Sequence, residues 1–114
     1  MGVKGIMVST EKNNRFKSNV FHALSDPIRL EIVAYLRNGE KCVCEIVPHL
    51  NIIQPLVSRH LKILKNAGVV KFRKEGTKRM YAIADDRIYG VVDALNSELL
   101  EAISEEAVKN VAYR

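Results

Sequence analysis

The stretch QPLVSRHLKILKNAGVVKFRKEGTKRMYAI, residues 54–83, decides the fold. Residues 54–67 predict a helix that begins at a Gln-Pro pair and stops at Gly68, because proline suits a first helical turn and glycine a helix end. Residues 69–83 alternate apolar and charged residues around a turn that contains Gly76, which is typical of a β-hairpin. A helix followed directly by a hairpin is therefore the centre of the predicted fold.

The predicted helix has two different faces. At about 100° per residue, Val57, Leu61 and Leu64 fall on one side and are expected to contact the core. The opposite arc holds side chains suited to base edges and phosphates, namely Gln54, Ser58, Arg59, Lys62 and Lys65. We expect the first three to read bases, since the first turns of such a helix point into the major groove, and the lysines to contact phosphates. His60 lies at the boundary, where DNA contact and a bond to a neighbouring backbone group are both open.

Positive charge is concentrated in this region. The chain has a net charge of +5. Residues 54–79 hold eight Lys or Arg and one acidic residue, whereas residues 80–114 hold three Lys or Arg and seven acidic residues. The hairpin carries five of the basic residues: Lys71, Arg73, Lys74, Lys78 and Arg79. A basic hairpin after a basic helix is typical of the wing of a winged helix, and such a charge block is typical of a phosphate binder. A merely solvated basic face is the alternative.

Further helices are predicted upstream. Apolar residues recur at helical spacing from Phe16, and Asp26 with the following proline ends that helix and caps a second one. Residues 42–50 are expected to form a short helix, and a turn of a few residues joins it to the helix at 54–67. Two helices joined by a tight turn, the second of them basic, have the helix-turn-helix outline.

The whole chain is predicted to be one small winged domain. Residues 1–13 are expected to form a flexible tail, and residues 14–114 a winged helix-turn-helix domain with dimerisation helices at both ends. The fold class is mostly α-helical with a small β-hairpin (α+β). No apolar run spans a membrane and no secretory signal is recognisable, so we expect a cytoplasmic protein without a membrane partner.

An apolar stripe marks the C-terminal part of the chain. We expect one long helix over roughly 86–111, capped by Asp85 or Asp86. The stripe is longer than a winged core needs, which favours a second subunit packed on it; packing against the first helix is the alternative. The expected dimer contacts are Phe16, Val20, Ile88, Val92, Leu95, Leu99 and Ile103.

The chain has two cysteines, Cys42 and Cys44, one residue apart. A disulfide between them would close a tiny, strained loop, so we expect free thiols in a reducing compartment. Thiolates are soft ligands that suit arsenite, antimonite and soft divalent ions such as cadmium, lead or zinc. On a regular helix, residues two apart point about 200° away from each other, so we expect both sulfurs to reach one ion only if the helix unwinds there.

From about Phe21 to its end, the chain resembles the ArsR/SmtB (arsenical-resistance repressor) family of metal-sensing winged-helix repressors. The resemblance rests on ALSDPIRLEIVAYL, CVCEI and QPLVSRHLKILKNAGVVKFRKEGTKRMYAI. It implies a homodimeric repressor that binds an inverted-repeat operator in double-stranded DNA without any cofactor and releases it when an inducer binds. In the family, a Cys-Val-Cys-acid pattern at this helix marks a metalloid or metal site, which here is Cys42 to Glu45.

This sequence departs from the family in its number of thiols. Val47 stands where some arsenic sensors have a third cysteine, and the N-terminal tail has no cysteine. A third ligand would have to be His22, His49, Glu45, water or a small external thiol. The family's other metal site, on the dimer helix, is not recognisable because the last histidine is His60.

Other functions stay open. The cysteine pair could sense oxidants, or it could be two small apolar residues in a DNA-binding protein with no inducer. An enzyme is disfavoured, because the sequence has no glycine-rich phosphate loop and no HExxH or CxxC motif.

Overall fold

The computed structural model describes residues 10–112. The elements follow in the order α1 (Thr10–Leu24), α2 (Pro27–Tyr35), a 3-10 turn (Leu36–Asn38), β1 (Lys41–Cys42), α3 (Val43–Leu50), α4 (Gln54–Asn66), β2 (Val70–Glu75), β3 (Lys78–Ile83), α5 (Ile88–Ala94) and α6 (Ser97–Ala112). The predicted α+β class, mostly helical with a hairpin, is confirmed.

The N-terminal helix begins earlier than expected. Helix α1 starts at Thr10, so residues 10–13 are helical and do not belong to a tail. These residues are polar and carry no apolar periodicity, but a helix that has formed extends at little cost because each added residue gains a hydrogen bond. Residues 1–9 lie outside the described residues, and their flexibility stays a prediction.

The core lies where α4 crosses α2 and α3. Val57, Leu61 and Leu64 of α4 are fully buried, as their spacing predicted. They belong to one apolar cluster with Ile32 of α2 and Ile46 of α3. Buried hairpin residues close the cluster on a further side, so α4 is held by packing while its opposite side stays in solvent.

Capping residues set the helix boundaries. The Asp26 carboxylate accepts hydrogen bonds from two N–H groups of the first turn of α2, at 2.8 and 3.1 Å. Asn51, with φ of 55°, ends α3 in the left-handed conformation, and the turn to α4 follows at once. Gly68, with φ of 81°, reverses the chain after α4. A residue with a side chain would be strained there, so glycine fixes where the wing begins.

The sheet has three strands in the order β1-β3-β2. The hairpin pairs Val70 with Ile83 at its base and Glu75 with Lys78 at its tip, around a turn at Gly76, whose φ is 64°. Strand β1 adds a short edge, with Cys42 opposite Met80 of β3. The predicted helix over 42–50 is therefore wrong at its first residue: Cys42 belongs to a strand, because pairing with β3 extends its backbone.

The predicted long C-terminal helix is wrong. The chain forms α5 and α6 instead, with a break at Leu95, whose φ and ψ are −83° and 64°. The Asn96 side chain accepts a hydrogen bond from the N–H of Leu99 at 2.9 Å and caps α6. Asparagine competes for backbone hydrogen bonds and favours such caps, which explains why the apolar stripe does not form one helix. No helix within residues 10–112 is both long and apolar enough to cross a bilayer.

Candidate nucleic-acid interface and thiol pair

The exposed side of α4 carries the predicted DNA-reading residues. Gln54, Arg59, Lys62 and Lys65 are exposed, and Ser58 is half-buried. Helix α4 begins at the first of these residues with proline next to it, so the base-reading candidates lie in its first two turns. An exposed, cationic, hydrogen-bonding face on a helix anchored by a buried apolar side is what major-groove recognition requires.

His60 lies on the other side of the helix. Its side chain is buried, and its Nδ1 is 3.0 Å from a guanidinium nitrogen of the buried Arg29. Because a guanidinium only donates, Nδ1 of His60 is the acceptor of this hydrogen bond. Arg29 also donates to the Ala23 carbonyl at 2.6 Å. This placement favours a structural role for His60 over contact with DNA, but its partner is the Arg29 side chain and not the backbone group that was expected.

The wing cations fall into two groups. Lys74, Lys78 and Arg79 are exposed at the hairpin end. Arg73, in contrast, donates to both carboxylate oxygens of Glu40, at 2.6 and 2.7 Å, and contacts Glu75 at 2.7 Å. The bonds from Glu40 and Glu75 raise the pKa of Arg73, and Arg73 in turn lowers the pKa of Glu40. A guanidinium held by two carboxylates is a weaker phosphate ligand than Lys74, Lys78 and Arg79, which form no ion pair with any residue of 10–112.

The two cysteines lie at the junction of β1 and α3. Cys42 is the N-cap, and its sulfur accepts a hydrogen bond from the N–H of Cys44 at 2.8 Å. The Glu45 carboxylate accepts from the N–H of Cys42 at 2.9 Å, which completes a capping box. The two sulfurs are bonded to each other as a disulfide, with 5.0 Å between the Cα atoms. The expectation of free thiols is not met.

This geometry also corrects the expectation that the helix must unwind. The expected angle of about 200° between the two side chains applies only if both cysteines lie on a regular helix. Cys42 is extended instead, with φ and ψ of −76° and 151°, so its sulfur turns toward Cys44 in the first helical turn. The sulfurs therefore converge while α3 is intact, and only Cys44 is exposed.

An open cleft of about 460 Å³ adjoins the cysteine pair and brings together several predicted site residues. The cleft is lined by Cys42 and Cys44, by Gln54 at the start of α4, and by Lys78 and Arg79 of the wing. The cysteine pair and the predicted DNA-binding residues thus border the same space.

The predicted third ligands are placed differently. Glu45 is engaged at the helix cap, and His49 stacks on Tyr35 with ring centres 3.8 Å apart while contacting Glu31 at 3.2 Å. His22 lies on the exposed side of α1. In residues 10–112, no three His, Cys, Asp or Glu side chains form a group arranged to hold a metal ion.

Exposed apolar residues lie on the N-terminal helix α1 and the C-terminal helices α5 and α6, here called the outer helices. Of the predicted dimer residues, Phe16, Leu95, Leu99 and Ile103 are exposed, the first by 61% and the third by 43%. The others, Val20, Ile88 and Val92, are half-buried against the core. Sequence reasoning missed further exposed apolar residues, Phe21, Leu100 and Val111. Their signal was the same helical spacing, but the break before α6 changes which residues share a face.

Two charged residues were also missed. Arg29 and Glu40 each contact a predicted DNA-binding residue from more than thirty positions away. No local pattern marks such pairs, although an arginine in a largely apolar helix such as PIRLEIVAY indicates a buried partner.

A basic helix anchored beside a basic hairpin defines a winged helix-turn-helix protein. A family model described as bacterial regulatory protein, arsR family, matches residues 26–71. An uncharacterised HTH-type transcriptional regulator of Methanocaldococcus jannaschii is 49% identical over 76 residues, which cover 66% of this chain and 85% of that protein. The arsenical resistance operon repressor of Staphylococcus xylosus is 42% identical over 66 residues, which cover 58% of this chain and 64% of that protein.

A solved structure shares the fold. The homodimeric winged helix-turn-helix DNA-binding domain of a possible ArsR-family regulator from Mycobacterium bovis is 31% identical, with a TM-score of 0.72 over 82% of this chain and 92% of that one. The chain belongs to the ArsR family of bacterial regulatory proteins. It is a DNA-binding transcriptional repressor of that family and not an enzyme.

Proposed function

We propose that this repressor binds an inverted-repeat operator as a homodimer and releases it when arsenite, antimonite or a soft divalent ion binds Cys42 and Cys44. Cadmium, lead and zinc are the divalent candidates. One observation carries the proposal: the two sulfurs converge at the junction of β1 and α3, beside the cleft that Gln54 and the wing also line. Thiolates favour such soft ions over hard ones.

Ion binding at this place disturbs a helix cap. The Cys42 sulfur accepts the N–H of Cys44, and a sulfur that donates its electron pairs to an ion is a poorer acceptor. Losing an N-cap contact costs about 0.5–2 kcal/mol of helix stability. We infer that the Cys42 thiol keeps this cap after reduction, whereas ion binding weakens it and loosens the N-terminal end of α3.

The disturbance has two routes to the DNA-binding elements. Strand β1 pairs with β3, so Cys42 lies opposite Met80 of the wing. Helix α3 packs on α4 through the buried Ile46, which shares a cluster with Leu61. A shift of a few tenths of an ångström in α3 therefore changes the angle between α4 and the wing, and both must fit the DNA together.

Two copies are needed for the operator that we propose. One α4 reads about one half-site, and a two-fold dimer requires half-sites about one helical turn apart, roughly 34–36 Å. The exposed apolar residues of α1 and α6 supply the pairing surface, and the Mycobacterium bovis domain is described as homodimeric.

The test is release of DNA in solution. An operator is first selected from a random inverted-repeat library, and its complex with the reduced protein is titrated with arsenite, antimonite, cadmium, lead and zinc while fluorescence anisotropy is recorded. At least one ion should lower DNA affinity by tenfold or more, as a coupling of about 1.4 kcal/mol requires. The Cys42→Ser plus Cys44→Ser protein keeps a good N-cap and should bind DNA with no response. Release of that variant by the same ion would refute the proposal.

Oxidation of the cysteine pair is a second candidate, favoured by the bonded sulfurs in the structure. It predicts that a thiol oxidant changes DNA affinity with metals chelated, and that the double-serine protein does not respond. Equal affinity of the reduced and oxidised protein would remove this candidate. Equal affinity under every ion and oxidant leaves a repressor without a thiol inducer.

A further inference from the structure

The cleft beside the cysteine pair has the chemistry of a site for a small anionic ligand. Thr77, Lys78 and Arg79 of the wing line this cleft together with Cys42 and Cys44. Its volume of about 460 Å³ falls in the range of small-molecule sites and far exceeds that of a single oxyanion. Neither Lys78 nor Arg79 forms an ion pair within the described part of the chain, so both remain available to an anion.

The cysteine pair is short of one sulfur for trivalent arsenic. Arsenite forms three single bonds, and the entire chain contains only two cysteines. The nearest carboxylate, Glu45, is engaged with the backbone of Cys42, and His49 lies on the opposite side of α3 against Tyr35 and Glu31. The third bond therefore points toward the cleft or toward solvent.

We propose that a small anionic thiol occupies this cleft and supplies the third sulfur, with its anionic group between Lys78 and Arg79. This inference rests on the proposed arsenite response. Two external thiols first reduce the Cys42–Cys44 disulfide and leave as their own disulfide. Arsenous acid then loses its three hydroxyl groups as water, taking one proton each from Cys42, Cys44 and a further external thiol, and three arsenic–sulfur bonds form without a change in the oxidation state of arsenic.

The occupant also competes with DNA. Lys78 and Arg79 are among the predicted phosphate contacts of the wing, and an anion bound between them neutralises the charge that a phosphate needs. The ligand thus joins the cysteine pair to the wing by a direct electrostatic route. The cap at Cys42 is not required for this route.

A series of matched thiols tests the inference. Reduced protein is titrated with arsenite in the presence of 2-mercaptoethanesulfonate, 2-mercaptoethanol or 2-mercaptoethylamine, which share one skeleton and carry negative, no and positive charge. We expect native mass spectrometry to show one protomer, one arsenic and one thiol in the sulfonate sample. The apparent arsenite affinity should be about tenfold higher with the sulfonate than with the amine.

Substitutions show whether the preference for the sulfonate comes from the cleft cations or from differences in reactivity among the three thiols. Lys78→Gln plus Arg79→Gln should reduce the sulfonate preference to about twofold or less, because the anion loses both partners. Lys71→Gln plus Lys109→Gln removes the same net charge away from the cleft and should leave the preference intact. Circular dichroism melts confirm that both variants fold.

The outcomes are distinguishable. If the sulfonate thiol raises the apparent arsenite affinity over the amine thiol as much in the cleft variant as in the wild type, this inference is overturned. A complex of arsenic with two protomers and no external thiol also overturns it. If arsenite does not bind the reduced protein in the presence of any of the three thiols, this inference fails, whereas the proposed function is overturned only if none of the five ions releases the operator. A charge-dependent ternary complex that the cleft variant loses supports both.

Discussion

The Arg29 guanidinium on α2 donates a hydrogen bond to Nδ1 of His60 on α4, with 3.0 Å between the two nitrogens. Both side chains are at least nine-tenths buried, and the same guanidinium donates to the Ala23 carbonyl at the end of α1. One arginine thus joins α1, α2 and α4, the predicted DNA-reading helix. The position of α4 depends on this polar contact as well as on its apolar side.

Removing that arginine should destabilise the whole domain. In Arg29→Met, the Ala23 carbonyl and the His60 nitrogen lose their donor while buried, which costs about 2–4 kcal/mol. Urea denaturation measures the free energy of unfolding. Arg87→Met is the matched control, since the Arg87 side chain is 91% exposed and, within residues 10–112, paired only with Asp85, and it should change stability little. Similar losses in the two variants would contradict a special role of Arg29.

Asp26 should make the folding stability of the domain fall at low pH. Partial burial alone would raise the pKa of Asp26. Hydrogen bonds from the N–H groups of Arg29 and Ile28, together with the positive charge of the Arg29 guanidinium, lower this pKa below 3.8. A depressed folded-state pKa means that the contribution is present above the unfolded value and is lost as the pH falls through the folded value. Asp26→Asn keeps the cap but does not ionise, so its stability should fall less than that of the wild type under acid. Thermal melts above and below pH 3.8 measure the difference.

Arg59 and Lys62 should differ in what they recognise. Arg59→Ala removes a base-reading candidate and should weaken specific binding by about 1–3 kcal/mol while non-specific binding changes less. Lys62→Ala should weaken both equally and reduce the salt dependence by about one counterion. Binding to operator and scrambled DNA at several salt concentrations measures both. If Arg59→Ala loses the same binding free energy on operator and scrambled DNA, Arg59 contacts the DNA backbone and not a base.

Glu40 should limit the DNA affinity of the wing. Glu40→Gln weakens the hold on Arg73, so we expect DNA affinity to rise about two- to fivefold and the salt dependence to steepen. The rise should vanish in the Arg73→Ala background, because Glu40 acts through that side chain. Glu105→Gln on α6 removes the same charge far from the wing and is the control. A rise that persists without Arg73 would indicate a general charge effect.

The outer helices should hold the dimer. Leu99→Glu plus Ile103→Glu places charges on exposed apolar positions of α6 and should convert a dimer to monomers in sedimentation velocity. The described fold uses neither side chain in its core, so the circular dichroism spectrum should not change. Glu98→Gln plus Glu101→Gln alters the same helix without adding charge to its apolar side. A double-glutamate protein that remains dimeric would place the interface elsewhere.

Local sequence determined the DNA-binding unit. The spacing of Val57, Leu61 and Leu64 fixes which side of α4 is buried, and Gly68 and Gly76 fix where the wing begins and turns. These features depend on neighbouring residues and on backbone conformations that few residue types adopt. The helix, the hairpin and the exposed cations were therefore predictable, and so was the family.

Only the tertiary structure decided how the cysteine pair meets that unit. Strand β1 is two residues long and exists because β3 pairs with it, so the extended Cys42 and the convergence of the sulfurs have no local signal. The bonds of Arg29 to His60 and of Arg73 to Glu40 join residues 31 and 33 positions apart. Such contacts depend on packing that brings distant segments together, whereas helix and turn patterns depend on neighbours along the chain.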